Sequence, residues 1–210
     1  MADDDAVGPR WLVGRARNLL LRPRREWAVI DREPVKFRRL FLGYAAPLAL
    51  VPILAPGVGL LLFDAGWIGE MFEPWSMAEV VLIGYLMSLG FVVLLALSVQ
   101  LLAPVFGGRS SWAQAFKVAV YAQTATWAAG AFNILPALSG LSFVLGLYSL
   151  YLLYTGMPVL MKTLHGRALP YAAVVVLVTW LLASAVVGLL FQLSIAAGGP
   201  DGLAGRRLGG

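Results

Sequence analysis

Five apolar runs, near residues 40–63, 78–105, 114–135, 140–161 and 170–197, fill most of this 210-residue chain. Each exceeds the ~17 residues that a helix needs to cross the hydrocarbon of a bilayer. A backbone group left unpaired in hydrocarbon costs several kcal/mol, so a helix, which pairs them internally, is the economical form for every run. The pattern therefore predicts an all-α, polytopic membrane protein with five transmembrane helices. Two runs carry irregular positions. Pro47, Pro52 and Pro56, followed by Gly57 and Gly59, predict a kink or break near Ala55–Gly59 in the first. Gly156 and Pro158 are expected to loosen the end of the fourth.

Residues 10–39 follow a different pattern. On a helix, Trp11, Leu12, Ala16, Leu19 and Leu20 share one half, Arg10, Arg17 and Asn18 the other, and Arg15 and Arg22 its edge. Pro23 can start a second short helix carrying Trp27 and Ile30, which Glu33-Pro34 ends. A basic helix with tryptophan at its apolar border reads as a cytosolic amphipathic helix in the membrane interface. A surface for a protein partner and an anchor packed under the bundle are the alternatives. Residues 1–9 and 198–210 read as disordered ends.

Composition supports a membrane setting. Charged residues are 13%, hydrophobic residues 60%, and mean hydropathy is +0.81, too few polar groups to cover a globular surface. The net charge of +5 is local, since ten of the sixteen basic residues lie between Arg10 and Arg39. Arg109 with Lys117, and Lys162 with Arg167, mark the second and fourth connections. The first, with Asp64, Glu70 and Glu73, has no cation, and the third, around 135–140, no charge. That alternation places the N-terminus in the cytosol and the C-terminus in the periplasm, with Arg206 and Arg207 as exceptions. Arginine outnumbers lysine, and Ala, Leu, Gly and Val dominate, which suits a GC-rich bacterial genome, so the expected location is a bacterial inner membrane. Arg38-Arg39 resembles a twin-arginine export signal but lies too deep in the chain for one.

The chemistry is defined mainly by omission. There is no cysteine, and between Glu79 and Asp201 no carboxylate, so thiol chemistry, proton coupling and carboxylate catalysis lack their groups. His165 is isolated, and no phosphate-binding or dinucleotide fingerprint occurs. The expectation is no enzyme activity, no cofactor, no metal and no nucleic-acid partner. A polar seam is left. Gln123, Thr126, Gly130 and Asn133 recur at i, i+3, i+7 and i+10, and Tyr148, Tyr151 and Thr155 share a face of the fourth run. Such groups bond across helices, or line a solute or lipid path.

The segment Arg17-Asn18-Leu19-Leu20-Leu21-Arg22-Pro23, then Glu26-Trp27-Ala28-Val29-Ile30 and Glu33-Pro34, resembles the lead-in of bacterial Yip-domain membrane proteins. Gly107-Gly108, Phe116 through Tyr121, Ile134-Leu135-Pro136 and Leu147 through Tyr151 are similar to that family's second to fourth spans. The likeness implies five spans over most of residues 15–195. Eukaryotic members are linked to Rab GTPases and vesicle traffic, but their Asp-Leu-Tyr-Gly-Pro motif is absent, so that role is not implied. Ala125 stands where relatives often carry proline, which would leave the third span straighter.

The expected function is a membrane scaffold or adaptor that engages anionic lipid headgroups, a protein partner or a second copy through Trp11, Arg15, Arg17, Arg22, Arg24, Arg25 and Trp27. The alternative is a small-solute or lipid permease using Gln123, Thr126, Asn133, Tyr148, Tyr151 and Thr155.

Overall fold

A computed structural model describes residues 8–63 and 74–196, and every regular element within them is helical. The acidic first connection as far as Glu73 and the two chain ends expected to be disordered fall, apart from Gly8 and Pro9, outside the described residues.

The chain opens with a helical hairpin, α1 (Pro9–Leu21) and α2 (Pro23–Arg32). Each begins on a proline, whose missing N–H is not needed in a first turn. Glu33, held extended ahead of Pro34, stops α2. The first apolar run then forms α3 (Phe37–Leu40), a π-helical turn (Phe41–Ala45) and α4 (Ala46–Phe63). The break expected at Ala55–Gly59 is not there: α4 runs on through Pro52 and Pro56, and the irregular turn lies earlier. A proline removes one N–H donor and crowds the preceding turn, and tight packing against a neighbouring segment can hold such a helix together.

The second run forms α5 (Pro74–Leu102), closed by the turn Pro104–Phe106 and by Gly107 in the left-handed conformation, φ 72°. The fourth forms the turn Pro136–Leu138, α8 (Ser139–Gly146) and α9 (Tyr148–Leu160), and the fifth forms α10 (His165–Ala196). Gly156 and Pro158 do not interrupt α9.

Among the described residues, four stretches are long and apolar enough to cross a membrane: Phe37–Leu62, Val81–Leu102, Pro136–Leu160 and Gly166–Leu193. The third run, expected as one helix over 114–135, is divided. It consists of α6 (Trp112–Ala122), α7 (Thr124–Ala129) and a 3₁₀ segment (Gly130–Ile134). The break falls at Gln123, so the straighter third span expected from Ala125 is not what forms. Thr124 supplies a physical reason: its hydroxyl bonds the Tyr121 carbonyl at 2.7 Å and the Tyr44 hydroxyl at 2.8 Å. Side-chain hydroxyls that bond nearby backbone compete with the regular ladder.

The divided run sits deep in the bundle. Residues 115–122 are buried throughout, and α6 packs between α5 and α9. The 3₁₀ segment lies against α4 so closely that a Cβ at Gly130 would come within 2.3 Å of Pro52 Cβ, and one at Gly59 within 1.9 Å of the Ile134 carbonyl oxygen. The outside is apolar. Leu61, Phe143, Trp180 and Leu189 are more than half exposed, as expected of surface that meets lipid rather than water.

Candidate functional site

The α1–α2 hairpin is docked on the bundle, and polar contacts fix its position. Lys117, on α6, donates to the carbonyl oxygens of Ile30 at 2.7 Å and Glu33 at 2.6 Å. It thus places a cation on the unpaired carbonyls at the end of α2, where the helix dipole favours one. Lys162, just past α9, donates to the Val159 carbonyl at 2.6 Å and pairs with Asp31 at 2.5 Å. Lys162 itself adopts φ 55°, a left-handed helix ending. The Tyr148 hydroxyl caps α1 from the other side by donating to the Leu20 carbonyl at 3.1 Å.

Two residues expected on the hairpin's surface are inside instead. Arg15 pairs with Glu26 at 2.5 Å and with Glu33, and is only 8% exposed. Burial by itself would lower the Arg15 pKa, but the Glu33 hydrogen bond and the fields of Tyr121, Glu33 and Glu26 outweigh it and raise the value. Trp27 is fully buried: its indole N–H donates to Thr155 Oγ1 at 3.2 Å, and its ring meets Tyr121 edge-on. Trp11 packs edge-on to Tyr44, with the Arg39 guanidinium 4.5 Å from its ring centre. Helical spacing put Arg15 at the edge of α1, but its acidic partners come from α2 and beyond, which spacing within α1 does not show.

Arg17, Arg22, Arg24 and Arg25 are exposed. The last three, with Pro23 and Tyr151, surround an open recess of about 430 Å³ at the start of α2.

The polar seam divides in two. Tyr148 and Thr155 hold the hairpin, and Tyr151 lines the arginine recess. Gln123, Thr126 and Asn133 line a separate cavity of about 560 Å³ between α5, α7, α8, α9 and α10. A single path through all six residues, as the permease expectation drew it, is not what the structure assembles.

The acidic partners Glu26, Asp31 and Glu33, and the lysines Lys117 and Lys162, were not among the expected site residues. Lys117 did carry a signal, as a cation inside an apolar run that must find a partner. Among the described residues, no three His, Cys, Asp or Glu side chains lie close enough to hold a metal ion.

Among the described residues, an all-helical fold with four bilayer-length apolar stretches and an apolar exterior defines a multi-pass integral membrane protein. The Yip1 domain model matches residues 17–193, and the chain belongs to that family. The matched region takes in most of the hairpin as well as the bundle. No curated protein and no solved structure matches the chain.

Proposed function

We propose that this protein is a non-enzymatic scaffold of the bacterial cytoplasmic membrane that holds anionic lipid headgroups against its docked N-terminal hairpin. The recess bounded by Arg22, Arg24, Arg25 and Tyr151 carries the reading. Arg15 is spent on pairs within the hairpin segment and Lys117 and Lys162 on docking it, while these three arginines keep their charge outward. Each basic side chain near an anionic leaflet contributes about 1 kcal/mol.

Five crossings, with a cytosolic N-terminus and a periplasmic C-terminus, complete the proposal. Two observations support this topology. The hairpin, the 107–117 connection and the region around Lys162 meet at one end: Lys117 and Lys162 bind the hairpin, and Arg109 N–H donates to the Met161 carbonyl at 2.7 Å. The divided third run starts at that end and finishes at Ile134, beside Gly59 in the far half of α4. Basic connections gathered at one end are what the positive-inside rule requires of a cytosolic face. A scaffold is favoured over a permease because Tyr148 and Thr155 serve the hairpin rather than a path.

The test uses nanodiscs of phosphatidylcholine with and without fluorescent phosphatidylglycerol. Energy transfer from the protein's tryptophans should favour phosphatidylglycerol, and Arg22→Gln/Arg24→Gln/Arg25→Gln should remove the preference. Equal transfer for the variant would dismiss the lipid-engaging role. Because the chain lacks cysteine, single cysteines at Arg109 and Ser139 report topology: a periplasmic label at position 109 would overturn it.

A further inference from the structure

The cavity that receives Gln123, Thr126 and Asn133 has a composition that specifies its occupant. Its walls are apolar, from Phe91 and Leu95 on α5 to Leu153 on α9 and Val176 on α10. Its volume of about 560 Å³ falls within the ~300–1,000 Å³ of small-molecule sites. Phe143, Leu147 and Leu150 at its rim are exposed, so an apolar molecule can enter from the bilayer.

Most polar groups in the lining are satisfied by the protein. Thr126 and Ser149 bond each other at 2.8 Å, and Ser88 accepts from the Trp127 indole at 3.2 Å. Among the described residues, the carboxamides of Gln123 and Asn133 and the hydroxyl of Ser142 have no protein partner. Gln123 also stands at the break between α6 and α7, and discontinuous helices form the binding sites of many transporters. An amide without a partner in hydrocarbon is costly, so these groups call for an occupant with hydrogen-bonding atoms. No residue of the lining is ionisable, so a phosphate would be buried there without a countercharge.

We infer that the cavity binds a neutral membrane lipid. One apolar chain lies along Phe91, Leu95, Leu153 and Val176, and an uncharged oxygen-bearing head accepts from Gln123 and Asn133. The anionic lipid of the arginine recess and the neutral lipid of this cavity are thus distinct ligands at distinct sites.

The probe is diacylglycerol with a photoactivatable chain, in proteoliposomes of the full chain, and phosphatidylglycerol carrying the same chain is the control. Diacylglycerol should label peptides from the 123–133 and 142–153 regions, and unlabelled diacylglycerol should compete. Phosphatidylglycerol should label the exposed face of α10 but not the cavity. Gln123→Leu/Asn133→Leu removes two intramembrane hydrogen bonds and should lower cavity labelling about tenfold. Should that variant unfold, Leu147→Trp, which narrows the mouth and keeps both amides, must lower it as well. Arg22→Gln/Arg24→Gln/Arg25→Gln should leave cavity labelling unchanged, which separates this site from the headgroup recess. Equal cavity labelling by the two lipids, or labelling indifferent to the amide and rim variants, would overturn the inference.

Discussion

Trp27, from the N-terminal hairpin, lies directly on Gly156 of α9, so that a Cβ at position 156 would come within 2.8 Å of the indole ring. Residue 156 has room for a hydrogen and nothing larger, and Thr155 beside it accepts the indole N–H. The glycine that the sequence marks as a weak point of the fourth run is the socket of the hairpin's main apolar anchor.

Gly156→Ala should therefore destabilise the docked hairpin by about 1–3 kcal/mol, the usual cost of overpacking. Trp27→Ala should cost about 3–5 kcal/mol by leaving a cavity. Both can be followed by maleimide labelling of a single cysteine at Ile30, which is buried in the docked state. Labelling no faster than in the parent would contradict the docked arrangement.

The pair Arg15–Glu26 gives a second test. Both are nearly buried, so Arg15→Gln leaves a carboxylate without its charge partner and should cost about 3–5 kcal/mol. Arg15→Leu/Glu26→Leu should recover much of that, because an apolar replacement of a buried pair is often neutral. Thermal unfolding in detergent measures both. A double variant as unstable as Arg15→Gln would mean that the pair does more than satisfy itself.

The exposed arginines should behave in the opposite way. Arg22→Gln/Arg24→Gln/Arg25→Gln should leave the unfolding midpoint almost unchanged, since exposed substitutions usually stay within ~0.5 kcal/mol. At about 1 kcal/mol per arginine, affinity for phosphatidylglycerol should fall about a hundredfold. A large fall in stability would reassign these residues to the fold.

Glycines on the membrane helices should split by neighbourhood. Gly130→Ala sets a Cβ against the backbone of Pro52, while Gly84→Ala and Gly90→Ala meet nothing within 4 Å. The first should be poorly folded, and the others neutral or slightly stabilising, since alanine is the better helix former. Yields of monodisperse protein after solubilisation would show the contrast, and equal yields would contradict the close packing of α4 on the 3₁₀ segment.

By itself the sequence determined that the protein is helical and built for a membrane. Hydropathy is a property of each residue and its solvent, so the first, second, fourth and fifth apolar runs coincide with the four bilayer-length stretches. The division of the third run was not legible: Thr124 bonds the Tyr121 carbonyl three residues back, but it also meets the Tyr44 hydroxyl, 80 residues away in the chain, a contact that spacing does not show. The site was legible only in part. The sequence named Arg22, Arg24 and Arg25, and also Gln123 and Asn133, but it could not separate arginines that face outward from Arg15, which is turned inward. Nor could it show that the six polar seam residues serve two places. Those assignments depend on contacts such as Lys117 with Ile30 and Trp27 with Thr155, which lie 87 and 128 residues apart. Only the tertiary structure brings such groups together, because an intramembrane hydrogen bond requires its two partners to meet in space.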